Sequence, residues 1–187
     1  VRSRAAESGA GEADSIAGEG DPPLLLHGSV VALACGLTSR EDGGVDRAAE
    51  PKFRNDAPCL PRGVLITGAS GSGKSALALA LMALGARLVA DDRVLLQPRD
   101  GRLIATCPAP LSGLIEARGV GLLRAATLAE ADLALIVDLD RHETERLPHP
   151  HRQNIAGVSL PCLHKVEQPY FPAAILQYLK AGKVETE

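Results

Sequence analysis

The segment Gly68-Ala-Ser-Gly-Ser-Gly-Lys-Ser75 satisfies every constrained position of the phosphate-loop pattern G-x-x-x-x-G-K-[ST]. Its chemistry follows from the residue types. Glycines let backbone N–H groups wrap a phosphate, and a helix that starts here adds the positive end of its dipole. Lys74 offers a point charge to β- and γ-phosphates, and the Ser75 hydroxyl can ligate Mg²⁺. The nucleotide-binding set is therefore Gly68, Ala69, Ser70, Gly71, Ser72, Gly73, Lys74 and Ser75. The flanks agree with this reading. Gly63-Val-Leu-Ile-Thr67 predicts a buried strand before the segment, and Ser75-Ala-Leu-Ala-Leu-Ala-Leu-Met-Ala-Leu84 predicts a helix after it. A plain glycine-rich turn is the competing reading, and the agreement of pattern with context weighs against it. The sequence thus predicts binding of a nucleoside triphosphate or a related polyphosphate.

Acidic residues decide what would happen to such a ligand, and two placements compete. Leu133-Ala-Leu-Ile-Val-Asp138 ends an apolar run in Asp, the pattern of a Walker B strand whose carboxylate holds Mg²⁺. Asp91-Asp92 follows the short apolar run Arg87-Leu-Val-Ala90, at the strand end where α/β sheets place their ligands. Side chains alternate along a strand, so one carboxylate of the pair is expected to face the phosphates directly. A solvated strand end is the bland alternative for this pair.

Length and composition limit the remaining choices. At 187 residues the chain suits one domain with a real core. A net charge of −3 without a basic block argues against nucleic acid as a partner, and 2% aromatic content leaves few stacking platforms for bases. No apolar stretch is long enough to span a membrane. Cys35, Cys59, Cys107 and Cys162 form no C-x-x-C pair, and beside a nucleotide site they read as reduced cytoplasmic thiols. His149-Pro-His151 reads as loop in preference to a metal site.

The elements that must position these residues can be traced along the chain. Residues 1–22, rich in Gly, Ala, Ser and Glu, read as a disordered N-terminal segment, and 23–187 as the catalytic domain. His27-Gly-Ser-Val-Val-Ala-Leu-Ala-Cys35 reads as a strand, followed by a polar tract at about 36–61 that reads as an inserted surface loop. Val94-Leu-Leu-Gln97 and Leu103-Ile-Ala-Thr106 flank Asp100-Gly101, which predicts a hairpin. Ala131-Asp-Leu-Ala-Leu-Ile-Val137 reads as a buried strand, and a polar, histidine-rich stretch follows it. Pro172-Ala-Ala-Ile-Leu-Gln-Tyr-Leu-Lys180 reads as an amphipathic helix stopped by Gly182. The fold class is α/β with a substantial antiparallel component.

Three further runs carry a resemblance. Gly63-Val-Leu-Ile-Thr-Gly-Ala-Ser-Gly-Ser-Gly-Lys-Ser75, Arg87-Leu-Val-Ala-Asp-Asp-Arg-Val94 and Glu116-Ala-Arg-Gly-Val-Gly-Leu122 together resemble the C-terminal catalytic domain of the bacterial HPr kinase/phosphorylase family. His27-Gly-Ser-Val-Val-Ala-Leu33 looks like the strand that carries that family's active-site histidine. The resemblance covers about residues 25–35 and 62–165. It implies a P-loop nucleotide-binding domain with a mixed sheet of the HPr kinase C-terminal and phosphoenolpyruvate carboxykinase-like type. It implies an ATP- and Mg²⁺-dependent cytoplasmic enzyme that phosphorylates a serine of an HPr-like phosphocarrier, with phosphorolysis as the reverse activity. Lys74 would hold the phosphates, Ser75 and Glu116 the Mg²⁺, and Asp92 would be the general base. His27 would lie near the transferred phosphate, and Arg146 in Glu145-Arg-Leu-Pro148 would stabilise transition-state charge. Asp138 is demoted to a strand end without metal.

The sequence also departs from the family. Larger members carry an N-terminal domain with no counterpart here, and the short form is similar to alphaproteobacterial members. The family's basic phosphorolysis loop has no clear match in Leu160-Pro-Cys-Leu-His-Lys-Val-Glu-Gln-Pro169, so the kinase direction is favoured over phosphorolysis. Two alternatives stay open: a nucleotide-binding regulatory module without transfer activity, and a small-molecule kinase or ATPase using Asp138. Homo-oligomer formation is left open as well.

Overall fold

The computed structural model describes residues 22–34 and 60–184. The expectations for residues 1–21, for most of the tract at 36–61, and for Cys35 and Cys59 lie outside the described residues. Eleven strands, two α-helices and a short 3-10 helix at Ala109–Leu111 occur within them. In chain order the strands and α-helices are β1 (Leu24–His27), β2 (Ser29–Leu33), β3 (Arg62–Thr67), α1 (Lys74–Ala83), β4 (Arg87–Ala90), β5 (Arg93–Arg99) and β6 (Arg102–Thr106). There follow β7 (Leu114–Ala117), β8 (Gly121–Arg124), β9 (Glu130–His142), β10 (His151–Ile155), β11 (Val158–Lys165) and α2 (Phe171–Ala181).

Nine strands form one mixed sheet in the order β1-β5-β6-β9-β3-β2-β4, with β11 also on β9 and β10 on β11. The long strand β9 pairs parallel with β3 along one edge. Its other edge is shared: β6 pairs antiparallel with its first residues, and β11 pairs parallel with its last ones. β7 and β8 form a separate hairpin. The fold is α/β, as expected.

Local signals explain most elements. β3 and β9 are buried on both faces, so their apolar residues run on without alternation. Val64, Ile66, Leu135 and Val137 face the two helices, while Leu65 and Ile136 face the opposite core. Helix α1 buries Ala78 and Leu81, and α2 buries Phe171, Ile175, Leu176 and Leu179, both against the first of these faces. Gly182, with φ of 78°, ends α2 and donates its N–H to the Tyr178 carbonyl. Asp100 and Gly101 both have positive φ (50° and 74°), the conformation of a type I′ turn, and close the expected β5–β6 hairpin.

Two expectations are corrected. The apolar run from His27 to Cys35 is not one strand, because Gly28 divides it. A Cβ at Gly28 would lie 2.9 Å from the Ile66 carbonyl oxygen, so the close approach requires glycine. Before it, β1 pairs with β5; after it, β2 pairs with both β3 and β4. The histidine-rich stretch after β9 contains two strands, β10 and β11, and His151 opens the first. β10 is exposed over most of its length and takes its conformation from pairing, which periodicity does not reveal.

Candidate active site

The glycine-rich segment leaves β3 at Thr67 and enters α1 at Lys74. Its conformation demands the glycines. Gly68 has φ of 142°, and a Cβ there would lie 2.6 Å from Ser72 Oγ; Gly73 caps the helix with φ of 103°. Lys74 is buried and folds back on the segment, its Nζ donating to the Gly68 and Ala69 carbonyls at 2.8 and 2.9 Å. The Ala69 N–H donates to both carboxylate oxygens of Asp140, at 2.8 and 3.1 Å. Ser72 Oγ is buried without a hydrogen-bond partner among the described residues.

Asp91 and Asp92 stand across from this segment, at the end of β4. Asp91 is 7% exposed and gathers three donors. Ser29 Oγ donates at 2.5 Å, Ser75 Oγ at 3.1 Å, and the backbone N–H of Glu116 at 3.2 Å. Asp92 differs in every respect. Its side chain is 63% exposed, and its φ of 67° is uncommon for a residue with a Cβ. The Arg93 N–H donates to the Asp91 carbonyl at 2.8 Å, so Asp92 forms the apex of a three-residue turn, a strained conformation of the kind that clusters at functional sites.

His27 is delivered to that apex by strand register. The β1–β5 pairing sets His27 opposite Arg93, and the ring Nδ1–H donates to the Asp92 carbonyl at 2.9 Å. The same nitrogen lies 3.0 Å from Asp92 Oδ1. On the far wall, β7 and the turn after it supply Glu116 and Arg118. A cleft of about 600 Å³ joins these groups, lined by His27, Lys74, Ser75, Asp91, Asp92 and Glu116, with Leu114 and Leu122 on an apolar side.

The structure therefore brings together His27, Lys74, Ser75, Asp92 and Glu116. It does not bring Arg146 to the cleft lining. β9 continues past Asp138 to His142, which carries residues 143–150 beyond the glycine-rich segment, and Arg146 is exposed there. Asp138 pairs with Arg141 at 3.5 Å and accepts the Asp140 N–H at 2.9 Å. It also does not line the cleft.

Two further acids bond the segment. Asp91, passed over in favour of its neighbour, is the carboxylate bonded to Ser75. Asp140 grips the segment through Ala69. Its signal lay in Asp138-Leu-Asp140, where the period of two puts both acids on one side of the strand. Among the described residues, Cys107 and Cys162 are free thiols. Burial, and then the negative charge of Asp91, push the Cys107 thiol above its ordinary range, which makes it a poor nucleophile.

A family model described as HPr Serine kinase C-terminal domain matches residues 59–165, more than half of the chain. Among curated proteins, the chain is 44% identical over 113 residues to an HPr kinase/phosphorylase of Verminephrobacter eiseniae, covering 53% of this chain and 36% of that protein. It is 45% identical over 86 residues to an HPr kinase/phosphorylase of Levilactobacillus brevis, covering 42% and 28% respectively. The chain thus spans about a third of the length of these relatives. A solved structure of the Hpr(Ser) kinase/phosphatase from Coxiella burnetii superposes with a TM-score of 0.59 at 22% identity, covering 84% of this chain and 94% of that one. That likeness is one of fold. No helix of the described residues is long and apolar enough to cross a membrane. His27 lies outside the residues that the family model matches, whereas the glycine-rich segment, the Asp91–Asp92 pair and Glu116 lie within them. The chain belongs to the HPr Serine kinase C-terminal domain family.

Proposed function

We propose that this chain is an ATP-dependent protein kinase domain that phosphorylates a serine of an HPr-like phosphocarrier. One observation carries the reading: the exposed carboxylate of Asp92 and the loop lysine Lys74 share a single cleft, which Asp91 and Ser75 also line. Residues 68–75 would act as a phosphate loop within a mixed sheet of the HPr kinase and phosphoenolpyruvate carboxykinase-like type. The Lys74 ammonium, whose partners among the described residues are the loop carbonyls of Gly68 and Ala69, is a group that a polyphosphate suits.

The residues also fit Mg²⁺. Ser75 commits its hydroxyl proton to Asp91, which leaves its oxygen lone pairs free for a cation, and Asp91 and Glu116 add the hard oxygen donors such an ion takes. When bound, Mg²⁺ supplies neutralisation of charge on the β- and γ-phosphates. The protein's own contribution is positioning and proton transfer. Lys74 holds the phosphates. Asp92, lifted from the sheet by its turn, takes the proton of the incoming serine hydroxyl, a weak nucleophile at neutral pH. His27 orients that carboxylate through Nδ1. The exposure of Asp92 matches a substrate that is another protein, since its serine must reach the base from outside.

The test is direct. Purified chain is incubated with Mg-ATP and an HPr-type protein, and phosphoserine is sought by mass spectrometry. Transfer to the carrier supports the kinase reading. Tight ATP binding without transfer would favour a nucleotide-responsive module, and loss of ATP turnover on Asp138→Asn would favour the small-molecule kinase or ATPase.

A further inference from the structure

A second cluster of chemistry-bearing side chains lies outside the cleft. Three consecutive elements contribute one residue each: Glu143 follows β9 directly, His151 opens β10, and His164 lies near the end of β11. Glu143 Oε2 is 3.3 Å from His151 Nε2 and 3.9 Å from His164 Nδ1, and one donor atom from each residue lies within 4.8 Å of the others. None of the three lines the cleft.

We propose that Glu143, His151 and His164 form a binding site for a divalent transition-metal ion of the Zn²⁺ type. The donor set is two imidazoles and one carboxylate, which Zn²⁺ accepts with a fourth position left to water. Bonds of about 2.0–2.1 Å in a tetrahedron put donor atoms roughly 3.4 Å apart, and Glu143 Oε2 already lies 3.3 and 3.9 Å from the two imidazole nitrogens. Glu143 is already oriented for the task. Its Oε1 accepts the backbone N–H groups of Thr144 and Glu145 at 2.9 and 3.0 Å, which leaves Oε2 for the histidines. The Glu145 N–H is also the main reason why the carboxyl is held below its usual range and stays ionised. The Glu143 N–H donates to the Lys165 carbonyl, so backbone pairing fixes the carboxylate beside β11.

The two imidazoles stack, with ring centroids 4.0 Å apart and planes 17° from parallel. A ligand's lone pair lies in its ring plane, so binding needs the half-exposed His151 ring to turn out of the stack, while the less exposed His164 stays. The ion would then clamp the start and end of the 143–150 connection to β11. That connection carries Arg146. His149, the other histidine of the His-Pro-His motif, has no part in the site.

The experiment uses the full chain, stripped with chelator and titrated with ZnCl₂ alone, without nucleotide, against a chromophoric competitor. One equivalent is expected to bind in the micromolar range or tighter and to slow proteolysis of the 143–150 connection. His164→Ala and His151→Ala should each weaken binding at least tenfold. Asp91→Asn, in the cleft, should leave it unchanged. His164→Gln, judged folded by circular dichroism, guards against a trivial loss of structure and should weaken binding equally. Absence of Zn²⁺ binding by the parent chain would overturn the proposal. So would one-equivalent binding that survives the His151→Ala/His164→Ala pair, which would point to the cysteines or the cleft.

Discussion

Two carboxylates hold the glycine-rich segment from opposite sides, and they do so differently. On the β4 side, Asp91 is buried and bonded to side-chain hydroxyls of Ser29 and Ser75. On the β9 side, Asp140 sits at the surface, and its carboxylate accepts the Ala69 backbone N–H. A buried carboxylate that accepts from hydroxyls fixes groups able to bind a cation. A surface carboxylate on a backbone donor fixes the shape of the chain. The first side belongs to the chemistry and the second to the frame, and variants on each should separate the two.

The largest effect is expected from Lys74→Ala on the chemical side, which removes the charge that would hold the phosphates in the proposed function while the backbone donors remain. Polyphosphate binding should be abolished, and a calorimetric titration that still showed tight ATP binding would remove residues 68–75 from the reading. Next in size is Asp92→Asn. It preserves shape and removes basicity, so ATP binding should persist while transfer to the carrier falls by about 10²-fold or more, as for a missing general base. A near-normal transfer rate in this variant, measured by phosphoserine formation, would transfer the role to Asp91.

On the framing side the expected changes are smaller. Asp140→Asn keeps one acceptor for the Ala69 N–H and removes a negative charge beside the phosphates. ATP affinity should rise by about threefold, roughly 0.7 kcal/mol, the size of an exposed charge contact, and the gain should shrink at high salt. Weaker binding instead would mean that Asp140 takes part in the chemistry. The smallest effect is expected from deleting the tract at 36–61. Leu33 and Arg62 are register partners, so a short turn can close the β2–β3 pair. Shortening the connection favours closure by about 0.6 kcal/mol per halving of length. Folding and ATP affinity should be kept. A deleted chain that binds ATP but no longer phosphorylates the carrier would identify the tract as part of the docking surface.

How much of this was legible in the sequence depended on how local the cause was. The glycine-rich segment, its flanking strand and helix, and the Asp100–Gly101 turn were readable because each is specified within a few residues. Gly28 was not. Its role depends on the Ile66 carbonyl, which is distant in sequence. Asp91 and Asp92 were correctly noticed as a pair. Alternation along a strand implied that one faces the phosphates, whereas the positive φ at Asp92 swings its side chain out of that alternation, so both line the cleft. The spacing Asp138-Leu-Asp140 marks the side of the strand but not the bond to Ala69, and the Glu143–His151–His164 grouping has no spacing rule to betray it, because both are made by strands meeting at β9.

That strand has a kinetic consequence. β1, β5 and β6 form one three-stranded piece and β2, β3 and β4 another, and within the sheet order only β9 joins them. All six strands precede Glu130 in the chain. Until β9 emerges during synthesis, β3 and β6 each present an open edge to other chains. The pairing that closes those edges spans a long stretch of sequence, which makes it slow. Folding of this domain is thus expected to wait on a single late insertion, with the interval before it the time of greatest exposure to aggregation.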